Sequence, residues 1–434
     1  MSNQILIALD QLAHKLVDSV PSTIWIALSG GMDSMVLLHA ATEHPILSSY
    51  PLRAIHVNHG LQADALGWQK HCCRMAKTRS IDIEIHQVTS QPQPGESVEA
   101  WARTVRYDAF KSVLQPGDVL LLAHHLDDQA ETMLLRLCRG HGPTGLAAMP
   151  AQRQLLPECT LIRPFLALPK QTLQDYAVRH QLSWLDDATN VDQRFDRNYI
   201  RHQLMPSLVK RWPAVVQNMV RSADLCRQES DIVHKWARQQ IAKWPQTQDQ
   251  SLSIQQLGSY SDSEQMILVR HWLHKHTDQY PSYRSLITIF ETLIWAKADA
   301  VPCIRLRSWQ VRRFQNRLYL LSRQQWIAIP GDYQVNWDGQ QPLVVPGQSQ
   351  PMTRQLLKQQ GLAVDQLDWV QVSVRFRQGG ERCHPVGRNH SQTLKKLLQE
   401  YRIPPWQRNR LPLIFCGDIL VMVVGLWVCK GFGL

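Results

Sequence analysis

Residues 24–38 constrain the fold of this chain more than any other stretch. An apolar run of strand length, residues 24–28, is followed by Gly30 and Gly31 and then by an apolar segment without a helix breaker. This order predicts a strand, a tight loop and a helix. Two glycines leave backbone N–H groups free to face an anion, and the following helix adds its positive N-terminal end. The loop therefore has the composition of a phosphate-binding site.

Polar side chains in this loop support the same interpretation. Ser29 and Ser34 offer hydroxyl donors to phosphate oxygens, whereas Asp33 has the wrong charge for phosphate and suits Mg²⁺ held against it. No Gly-Lys-Ser/Thr follows the glycines, so the loop is not a Walker A motif. Ser-Gly-Gly alone is equally compatible with an ordinary turn. Placed between a strand and a helix, however, the loop resembles the pyrophosphate-binding loop of the N-type ATP pyrophosphatases, or PP-loop enzymes.

That resemblance implies an enzyme that splits ATP into AMP and pyrophosphate and activates an oxygen atom as its adenylate. It implies ATP and Mg²⁺ as cofactors, with Asp33 as the metal ligand. The residues that would bind ATP are Ser29, Gly30, Gly31, Met32, Asp33 and Ser34, together with His59 and Arg106.

Strands and helices alternate through the first part of the chain. Strands are predicted over residues 24–28, 52–57, 81–88 and 118–123. This alternation implies an α/β fold with a doubly wound parallel sheet. Ligands of such sheets bind beyond the carboxyl ends of the strands, where the Gly30–Gly31 loop and His59 both fall.

The length of 434 residues implies more than one domain. We predict an N-type ATP pyrophosphatase catalytic domain over residues 1–210 and a mostly helical domain, whose simplest role is packing, over residues 211–325. A linker region over residues 326–350 and a small, basic α+β domain over residues 351–434 follow.

The charge of the chain is positive and uneven. The net charge is +11, and residues 346–434 contain 12 Lys and Arg against 5 Asp and Glu. An excess of this kind is typical of proteins that bind a polyanion such as RNA, although a solvated basic surface would also explain it. A protein that handles only small phosphates would not need it.

The cysteines and apolar segments indicate the compartment. None of the nine cysteines is spaced Cys-x-x-Cys, and their odd number argues against a closed disulfide framework, so we expect a reduced, cytoplasmic protein. The N-terminus lacks the pattern of a signal peptide, and the most apolar run, residues 419–428, is too short to span a bilayer. We expect no membrane partner, and a homodimer is left open.

A second dense polar cluster follows the predicted strand 118–123. Its candidate catalytic residues are His124, Asp127, Asp128 and Glu131. Two imidazoles and three carboxylates within one or two helical turns are costly unless they bind a cation or an amine. Alternatively, Asp128 caps the helix and His124 is a hydrogen-bonded structural histidine. A zinc site is disfavoured because no third soft ligand lies near.

Arginines of the helix around residues 99–107 form a third candidate group. Arg103 and Arg106 share one helical face, and two guanidinium groups suit a nucleotide phosphate or a developing negative charge. Arg103 also lies four residues after Glu99, a spacing typical of a surface ion pair. Both interpretations remain open.

Several motifs together resemble the tRNA(Ile)-lysidine synthetase family. They are residues 29–34, 56–61, 99–107, 123–132, 139–146 and 187–201, and, near the C-terminus, 377–382, 395–398 and 403–406. The chain departs from the usual family pattern at Gln62, His141 and Ala188, where Arg, Ser and Pro are usual.

The resemblance implies a two-step reaction on an isoleucine tRNA with a CAU anticodon. ATP would adenylate the wobble cytidine, and the ε-amine of L-lysine would then displace AMP to give lysidine. Asp33, Arg103, His124, Asp127, Asp128 and Glu131 would be catalytic. The acidic residues would bind the amine and take its proton, with His124 and His125 as alternative bases. The helical domain over residues 211–325 and the basic domain over residues 351–434 would bind tRNA. The residues that would contact tRNA are Arg197, Arg201, Arg377, Arg382, Lys395, Lys396, Arg402 and Trp406.

Three other functions fit the residues less well. A tRNA thiolase on the same ATP loop generally needs a cysteine pair or an iron–sulfur site, and Cys72 and Cys73 are adjacent rather than spaced as ligands. A small-molecule ligase would not explain the basic C-terminal region. A non-catalytic RNA-binding protein would explain that charge but not an acidic cluster beside an ATP loop.

Overall fold

The computed structural model describes residues 3–17, 20–60, 64–95, 97–186, 192–245, 247, 249–277, 280–295, 302–306, 308–326, 329–348 and 350–434. Gln62, Ala188 and the motif residues 61 and 187–191 lie outside this set. The chain divides into two compact units, Met1–His234 and Lys235–Leu434. The four-part division expected from the sequence stays a prediction. Among the described residues, no helix is both long and apolar enough to cross a membrane.

The first unit is built on a six-stranded sheet. Its strands are β1 (Ile24–Ala27), β2 (Leu52–Asn58), β3 (Asp82–Gln87), β4 (Val119–Leu121), β5 (Gln152–Leu156) and β6 (Cys159–Ile162). They lie in the order β3-β2-β1-β4-β6-β5, and all neighbours are parallel except the antiparallel pair β5 and β6. The predicted doubly wound parallel sheet is therefore confirmed, with an added hairpin at one edge that the sequence analysis did not predict.

Helices cover both faces of this sheet. They are α1 (Asn3–Val17), α2 (Met32–Glu43), α3 (Ala65–Lys77), α4 (Val98–Val113), α5 (Leu126–Cys138), α6 (Pro143–Leu146), α7 (Lys170–Arg179), α8 (Asp196–Tyr199) and α9 (Met205–Arg211). A π-helical turn, Ile200–Leu204, separates α8 from α9, and α10 (Val215–Ala242) follows.

Alternation along β1 divides the core of this unit in two. Ile24 and Ile26 pack into a cluster with α1, α2 and α7, whereas Trp25 points to the opposite face and packs with Phe110 of α4. Successive side chains of a strand point to opposite faces, so an apolar strand buried on both faces fixes the three-layer arrangement. The carboxyl ends of β1, β2 and β4 consequently meet at one edge.

The second unit contains two sheets with separate hydrophobic cores. The first sheet has the order β7-β10-β9-β8, formed by β7 (Leu252–Ser253), β8 (Cys303–Leu306), β9 (Trp309–Phe314) and β10 (Arg317–Ser322). Its helices are α11 (Ile254–Leu257), α12 (Asp262–Thr277), α13 (Tyr283–Ile289) and α14 (Arg323–Trp326), with a π-helical turn at Phe290–Ile294.

The second sheet has the order β11-β12-β15-β16-β17. Its strands are β11 (Gln334–Asn336), β12 (Val372–Arg375), β15 (Leu413–Cys416), β16 (Ile419–Val423) and β17 (Trp427–Val428), and β13 (Arg382–Cys383) pairs with β14 (Gln392–Thr393) beside it. The helices α15 (Arg354–Gln359), α16 (Leu394–Glu400) and α17 (Pro405–Arg408) complete this part.

Cysteine pairing differs from the expectation of nine reduced thiols. Cys383 and Cys429 form a disulfide, while the other seven cysteines are free. The two partners are separated by 46 residues. They meet because the segment after β17 lies beside β13 and Pro385 bridges Cys429. Spacing along the sequence carries no information about that contact.

Candidate active site at the carboxyl ends of the parallel strands

A cavity of about 740 Å³ opens where the carboxyl ends of β1, β2 and β4 meet. Segments after these three strands line it, together with α4 and residues 192–201. It brings together many residues that the sequence analysis selected: Ser29, Gly31, Asp33, Ser34, His59, Arg106, His124, Asp128, Arg197 and Arg201. Gly30, Met32, Arg103, Asp127 and Glu131 do not line it.

The loop after β1 is held by its own hydroxyl groups. Ser34 Oγ donates to the carbonyl oxygen of Gly31 at 2.8 Å and accepts hydrogen bonds from both the amide and the hydroxyl of Ser29. Gly30 has a φ of +89°, and a Cβ at this position would lie 3.0 Å from Trp68 and 3.2 Å from Cys72. Glycine is therefore required here both by conformation and by space.

The N-terminus of α2 is open, meaning that no side chain among the described residues caps it. Gly31 precedes the helix and has no side chain that could accept hydrogen bonds from its first N–H groups. Asp33 lies in this first turn, and its buried Oδ1 has no hydrogen-bond partner among the described residues. Free N–H groups suit phosphate oxygens, and an unpartnered carboxylate oxygen beside them suits Mg²⁺. Within the described part of the chain, no cluster of three or more metal-ligating side chains occurs. Mg²⁺ bound through phosphates needs no such cluster.

The N-terminus of α5, by contrast, is closed. The imidazole of His125 accepts a hydrogen bond from the amide of Asp128 at 3.4 Å, and the carboxylate of Asp128 accepts one from the amide of His125 at 3.1 Å. In this capping box His125 is the N-cap residue and Asp128, at the third helical position, accepts the returning hydrogen bond from its amide. The alternative from the sequence, with Asp128 itself as the cap, is corrected to this reciprocal arrangement. Asp127 serves a different helix, because its Oδ2 accepts a hydrogen bond from the amide of Lys170 at the start of α7.

Two arginines satisfy the remaining carboxylate oxygens of α5. Arg197 donates to Asp128 at 2.7 Å and to Glu131 at 3.0 Å. Arg201 donates to Glu131 at 2.7 and 2.8 Å and to Asp128 at 3.2 Å. The sequence analysis assigned both arginines to tRNA, and that assignment stays a prediction. The structure adds that they are ion-paired in the cavity, which no motif had indicated.

Charges around α5 shift its titrations in opposite directions. Burial alone would raise the pKa of Asp128, but the neighbouring His125 and Arg197 hold that pKa well below its usual range. Burial alone would lower the pKa of His125, but the hydrogen bond to Asp33 and the charges of Asp128 and Asp127 raise it. The imidazole of His125 lies 3.6 Å from Asp33 and 3.5 Å from Asp128, so it links the two helix ends electrostatically.

Three further histidines, His56, His59 and His124, line the cavity, and the pKa of each is lowered so that the neutral ring is favoured. Burial lowers the pKa of His56, which hydrogen-bonds the carbonyl oxygen of Leu28 through Nδ1 at 2.8 Å. Burial, assisted by Arg106, lowers the pKa of His59 to about 4. Burial likewise lowers the pKa of His124 to about 3. His56 was part of a motif in the sequence, but its role as a lining residue was not predicted.

The two arginines of α4 are separated by the fold. Arg106 lines the cavity, and burial lowers its pKa. Arg103 is exposed and lies over the ring of Tyr107, 5.0 Å from its centroid. Burial would raise the pKa of Tyr107, but Arg103, Arg163 and Arg153 around it lower that pKa. Only Arg106 of the predicted pair is therefore placed to contact a ligand in the cavity.

The predicted tRNA-binding residues near the C-terminus have varied surroundings. Lys395 and Lys396 of α16 are exposed, as are Arg382 and Arg402. Arg377 lies 3.7 Å from Glu381. Trp406 is partly buried between Phe314 and Tyr319, with ring centroids 6.0 and 5.1 Å away. Packing against these rings gives Trp406 a structural role in addition to the predicted one. His141, one of the departures, is exposed and bonds the carbonyl oxygen of Arg136.

Comparison with known protein families agrees with this geometry. Residues 1–208 match the model of the PP-loop domain, residues 252–319 that of the TilS substrate binding domain, and residues 372–433 that of the TilS substrate C-terminal domain. The parallel sheet and the uncapped helix α2 thus belong to a PP-loop domain.

Full-length relatives define the family more narrowly. The tRNA(Ile)-lysidine synthase of Coxiella burnetii is 39% identical over 95% of this chain and 90% of that protein. The tRNA(Ile)-lysidine synthase of Photobacterium profundum is 39% identical over 97% of this chain and 96% of that protein. The chain belongs to the tRNA(Ile)-lysidine synthase family.

Solved structures resemble this chain more distantly. A U34-tRNA thiolase from Methanococcus maripaludis shares 17% identity with a TM-score of 0.40, covering 51% of this chain and 80% of that chain. An NH3-dependent NAD synthetase from Campylobacter jejuni shares 15% identity with a TM-score of 0.32, covering 52% of this chain and 96% of that chain. Likeness at this level carries no conclusion about activity.

Proposed function

We propose that this enzyme converts the wobble cytidine of a CAU-anticodon isoleucine tRNA to lysidine, using ATP and L-lysine and releasing AMP and pyrophosphate. One observation carries the proposal. The open N-terminus of α2, with the unpartnered Oδ1 of Asp33, faces the same cavity as the carboxylate of Asp128. An anion site and a carboxylate site in one cavity suit a reaction in which an amine attacks an adenylated carbon and displaces AMP.

The adenylation step is assigned to the α2 side of the cavity. Ser29, Gly31 and the first N–H groups of α2 bind the phosphates, and Arg106 adds positive charge in the same cavity. Asp33 would hold Mg²⁺, which when bound stabilises the charge of the pyrophosphate leaving group. The cytidine carbonyl oxygen then takes the adenylyl group.

The lysine step is assigned to the α5 side. The ε-amine of lysine is a cation at neutral pH and must lose a proton before it attacks. Asp128, which lines the cavity, is the carboxylate that would bind it directly. Glu131 does not line the cavity and would act behind Asp128, through the two arginines that both carboxylates share. Since both already accept hydrogen bonds from Arg197 and Arg201, an incoming ammonium group must replace at least one arginine contact. The depressed pKa of Asp128 makes this carboxylate a better cation ligand than base.

The same geometry disfavours the thiolase alternative. Cys72 is buried, and burial raises the pKa of its thiol to about 12, with a further contribution from Cys73. A thiol with so high a pKa supplies almost no thiolate for sulfur transfer at neutral pH. Cys72 is therefore assigned to packing behind Gly30 rather than to chemistry.

Incorporation of labelled lysine tests the proposal directly. The substrate is an isoleucine tRNA transcript with a CAU anticodon, supplied with ATP and Mg²⁺, and the control transcript carries uridine in place of the wobble cytidine. We expect label on the first transcript and none on the second. Pyrophosphate release without label would retain the adenylating site and contradict lysine as the nucleophile. No tRNA-dependent release would contradict the proposal as a whole.

A further inference from the structure

His124 is a candidate base for the lysine step, and its hydrogen bond with Arg163 bears directly on that role. Arg163, which follows β6, is 3% exposed and donates from Nε to Nδ1 of His124 at 3.2 Å. The same guanidinium donates to the carbonyl oxygen of Pro150 at 2.7 Å and approaches the hydroxyl of Tyr107 at 3.4 Å. Three contacts from three segments fix the direction from which Arg163 meets His124.

The chemistry of the two groups determines where the proton of His124 lies. A guanidinium group has N–H donors only and does not lose its proton in proteins. Nδ1 of His124 must therefore present its lone pair to Arg163, and the single proton of the neutral ring is on Nε2. Protonation of Nδ1 would set two N–H groups against each other.

Burial and neighbouring charges keep the ring of His124 neutral. Burial, assisted by Arg163, Arg197 and Arg106 and opposed by Asp128, lowers the pKa of His124 to about 3. The ring lines the cavity, and its only hydrogen bond to a described residue is made by Nδ1. Within the described part of the chain, the N–H group at Nε2 is therefore left for a ligand in the cavity.

We infer that His124 acts as a neutral hydrogen-bond donor to a substrate oxygen at the reacting centre, and that Arg163 is the positioning residue that fixes it in this tautomer. The inference rests on the proposed function, in which a phosphoryl or carbonyl oxygen gains negative charge during adenylation. A fixed donor beside such an oxygen stabilises the transition state. The ring cannot also take the proton of lysine, because its one lone pair is occupied by Arg163.

His56 provides an internal reference in the same cavity. Its Nδ1 lies 2.8 Å from the carbonyl oxygen of Leu28, so Nδ1 must carry the proton and Nε2 must present the lone pair. The two rings therefore have opposite tautomers, one set by a carbonyl and the other by a guanidinium group. Nitrogen-15 NMR of the histidine-labelled full chain distinguishes these forms. We expect protonated Nε2 in the signal lost from His124→Gln, and protonated Nδ1 in the signal lost from His56→Gln.

A matched pair of variants tests the donor role. The amide of glutamine can place an N–H group near the position of Nε2, whereas that of asparagine reaches only the position of Nδ1. We expect His124→Gln to retain pyrophosphate release within about tenfold of the wild type, and His124→Asn to lose about a hundredfold. Equal loss in both variants, with folding intact by circular dichroism, would overturn the donor role. So would an NMR signal showing protonated Nδ1 in His124.

The positioning role of Arg163 has its own readout. Arg163→Met frees Nδ1 to accept a proton, so the pH–rate profile should gain an ionisation between pH 5 and 8 that the wild type lacks. Arg153→Met is the matched control, because Arg153 also lies over Tyr107, at 4.7 Å, but does not bond His124. An unchanged profile in Arg163→Met, or the same new ionisation in Arg153→Met, would contradict the assignment. If Arg163→Met does not fold, the NMR signals and the activities of His124→Gln and His124→Asn still test the donor role of His124. Failure of the wild-type enzyme to incorporate lysine would contradict the proposed function, whereas the tautomer of His124 measured by NMR would not depend on it.

Discussion

Two helices begin at the same edge of the sheet, and their N-termini are chemically opposite. Helix α2 follows β1 without a side-chain cap and with an unpartnered carboxylate oxygen on Asp33. Helix α5 follows the neighbouring strand β4. Its first turn is capped by His125 and Asp128, and Arg197 and Arg201 pair with the carboxylate of Asp128. Topology alone would make both of them anion sites. The difference teaches that a helix end binds a ligand only where the protein leaves its donors unsatisfied.

In the proposed function, the two steps of the reaction are divided between the two helix ends. The open end of α2 would bind phosphate, and the closed end of α5 presents carboxylates that are already paired with arginines. The two ends meet at His125, whose imidazole lies 3.6 Å from Asp33.

Removal of the carboxylate at the open end should have the largest effect. We expect Asp33→Asn to lower tRNA-dependent pyrophosphate release on the order of 10³-fold, because the leaving group loses its metal ion. The half-saturating Mg²⁺ concentration should rise in the same assay. Asp64→Asn is the control, since Asp64 caps α3 by accepting a hydrogen bond from Gly67 and does not line the cavity. Equal activity of the two variants would remove the distinction between the helix ends.

Removal of the carboxylate at the closed end should separate the two steps. We expect Asp128→Asn to lower lysine incorporation about a hundredfold while pyrophosphate release falls less than about tenfold. The control is Asp196→Asn, whose carboxylate pairs with the exposed Arg139 at 2.8 Å. Full lysine transfer by Asp128→Asn would remove Asp128 from the lysine site.

Two neighbouring glycines sharpen the comparison at the level of stability. Gly30→Ala should lower the free energy of unfolding by about 2 kcal/mol, because alanine disfavours the φ of +89° and its Cβ would meet Trp68. Gly31→Ala should cost less than about 0.5 kcal/mol, since its Cβ would meet only Ser29 Oγ at 3.6 Å. Urea unfolding of the two variants measures the difference. Comparable losses of stability in the two variants would show that the conformation and the space at Gly30 do not determine the structure of this loop.

The pH dependence of stability should show the smallest effect. The pKa of Asp128 is lower in the folded protein than in the unfolded chain, so its ionisation stabilises the fold above the unfolded pKa of about 4. That contribution is lost as the pH falls through the lower, folded-state pKa. The stability difference between wild type and Asp128→Asn should therefore shrink as the pH falls below about 4. Between pH 8 and 6 the difference also contains the titration of His125, whose pKa Asp128 raises, so the test is confined to acidic pH. A difference that grows below pH 4 would contradict the assigned shift.

Local signals account for what could be predicted from the sequence. The loop at Gly30, the strands of the sheet and the polar cluster after β4 follow from periodicity, glycine placement and strand-end position. The edge hairpin of β5 and β6 was missed because both strands are short and lack a clear apolar alternation.

Contacts between distant segments account for the rest. Arg163 lies 39 residues from His124, and Arg197 lies 69 residues from Asp128. Nothing in either local pattern indicates its partner. The motif around Arg197 and Arg201 indicated that these residues serve the function, but not which groups their side chains contact. Both were assigned to tRNA, although the fold places them against the carboxylates of α5. The side chains that neutralise a site are therefore harder to predict than those that form it.

The π-helical turn at Ile200–Leu204 sets the rotational phase of this segment. Arg197 and Arg201 point to the carboxylates of α5, while Ile200 and Met205 pack with Ala130 on the same helix. The wider turn holds one residue more than an α-helical turn, and each residue of an α-helix adds about 100° of rotation. Deletion of a single residue, such as Gln203, would remove none of the proposed catalytic side chains. It would nevertheless rotate Met205 and the helix after it by about 100° relative to Arg197 and Arg201. The spacing in this segment is thus as much a part of the active site as its chemistry.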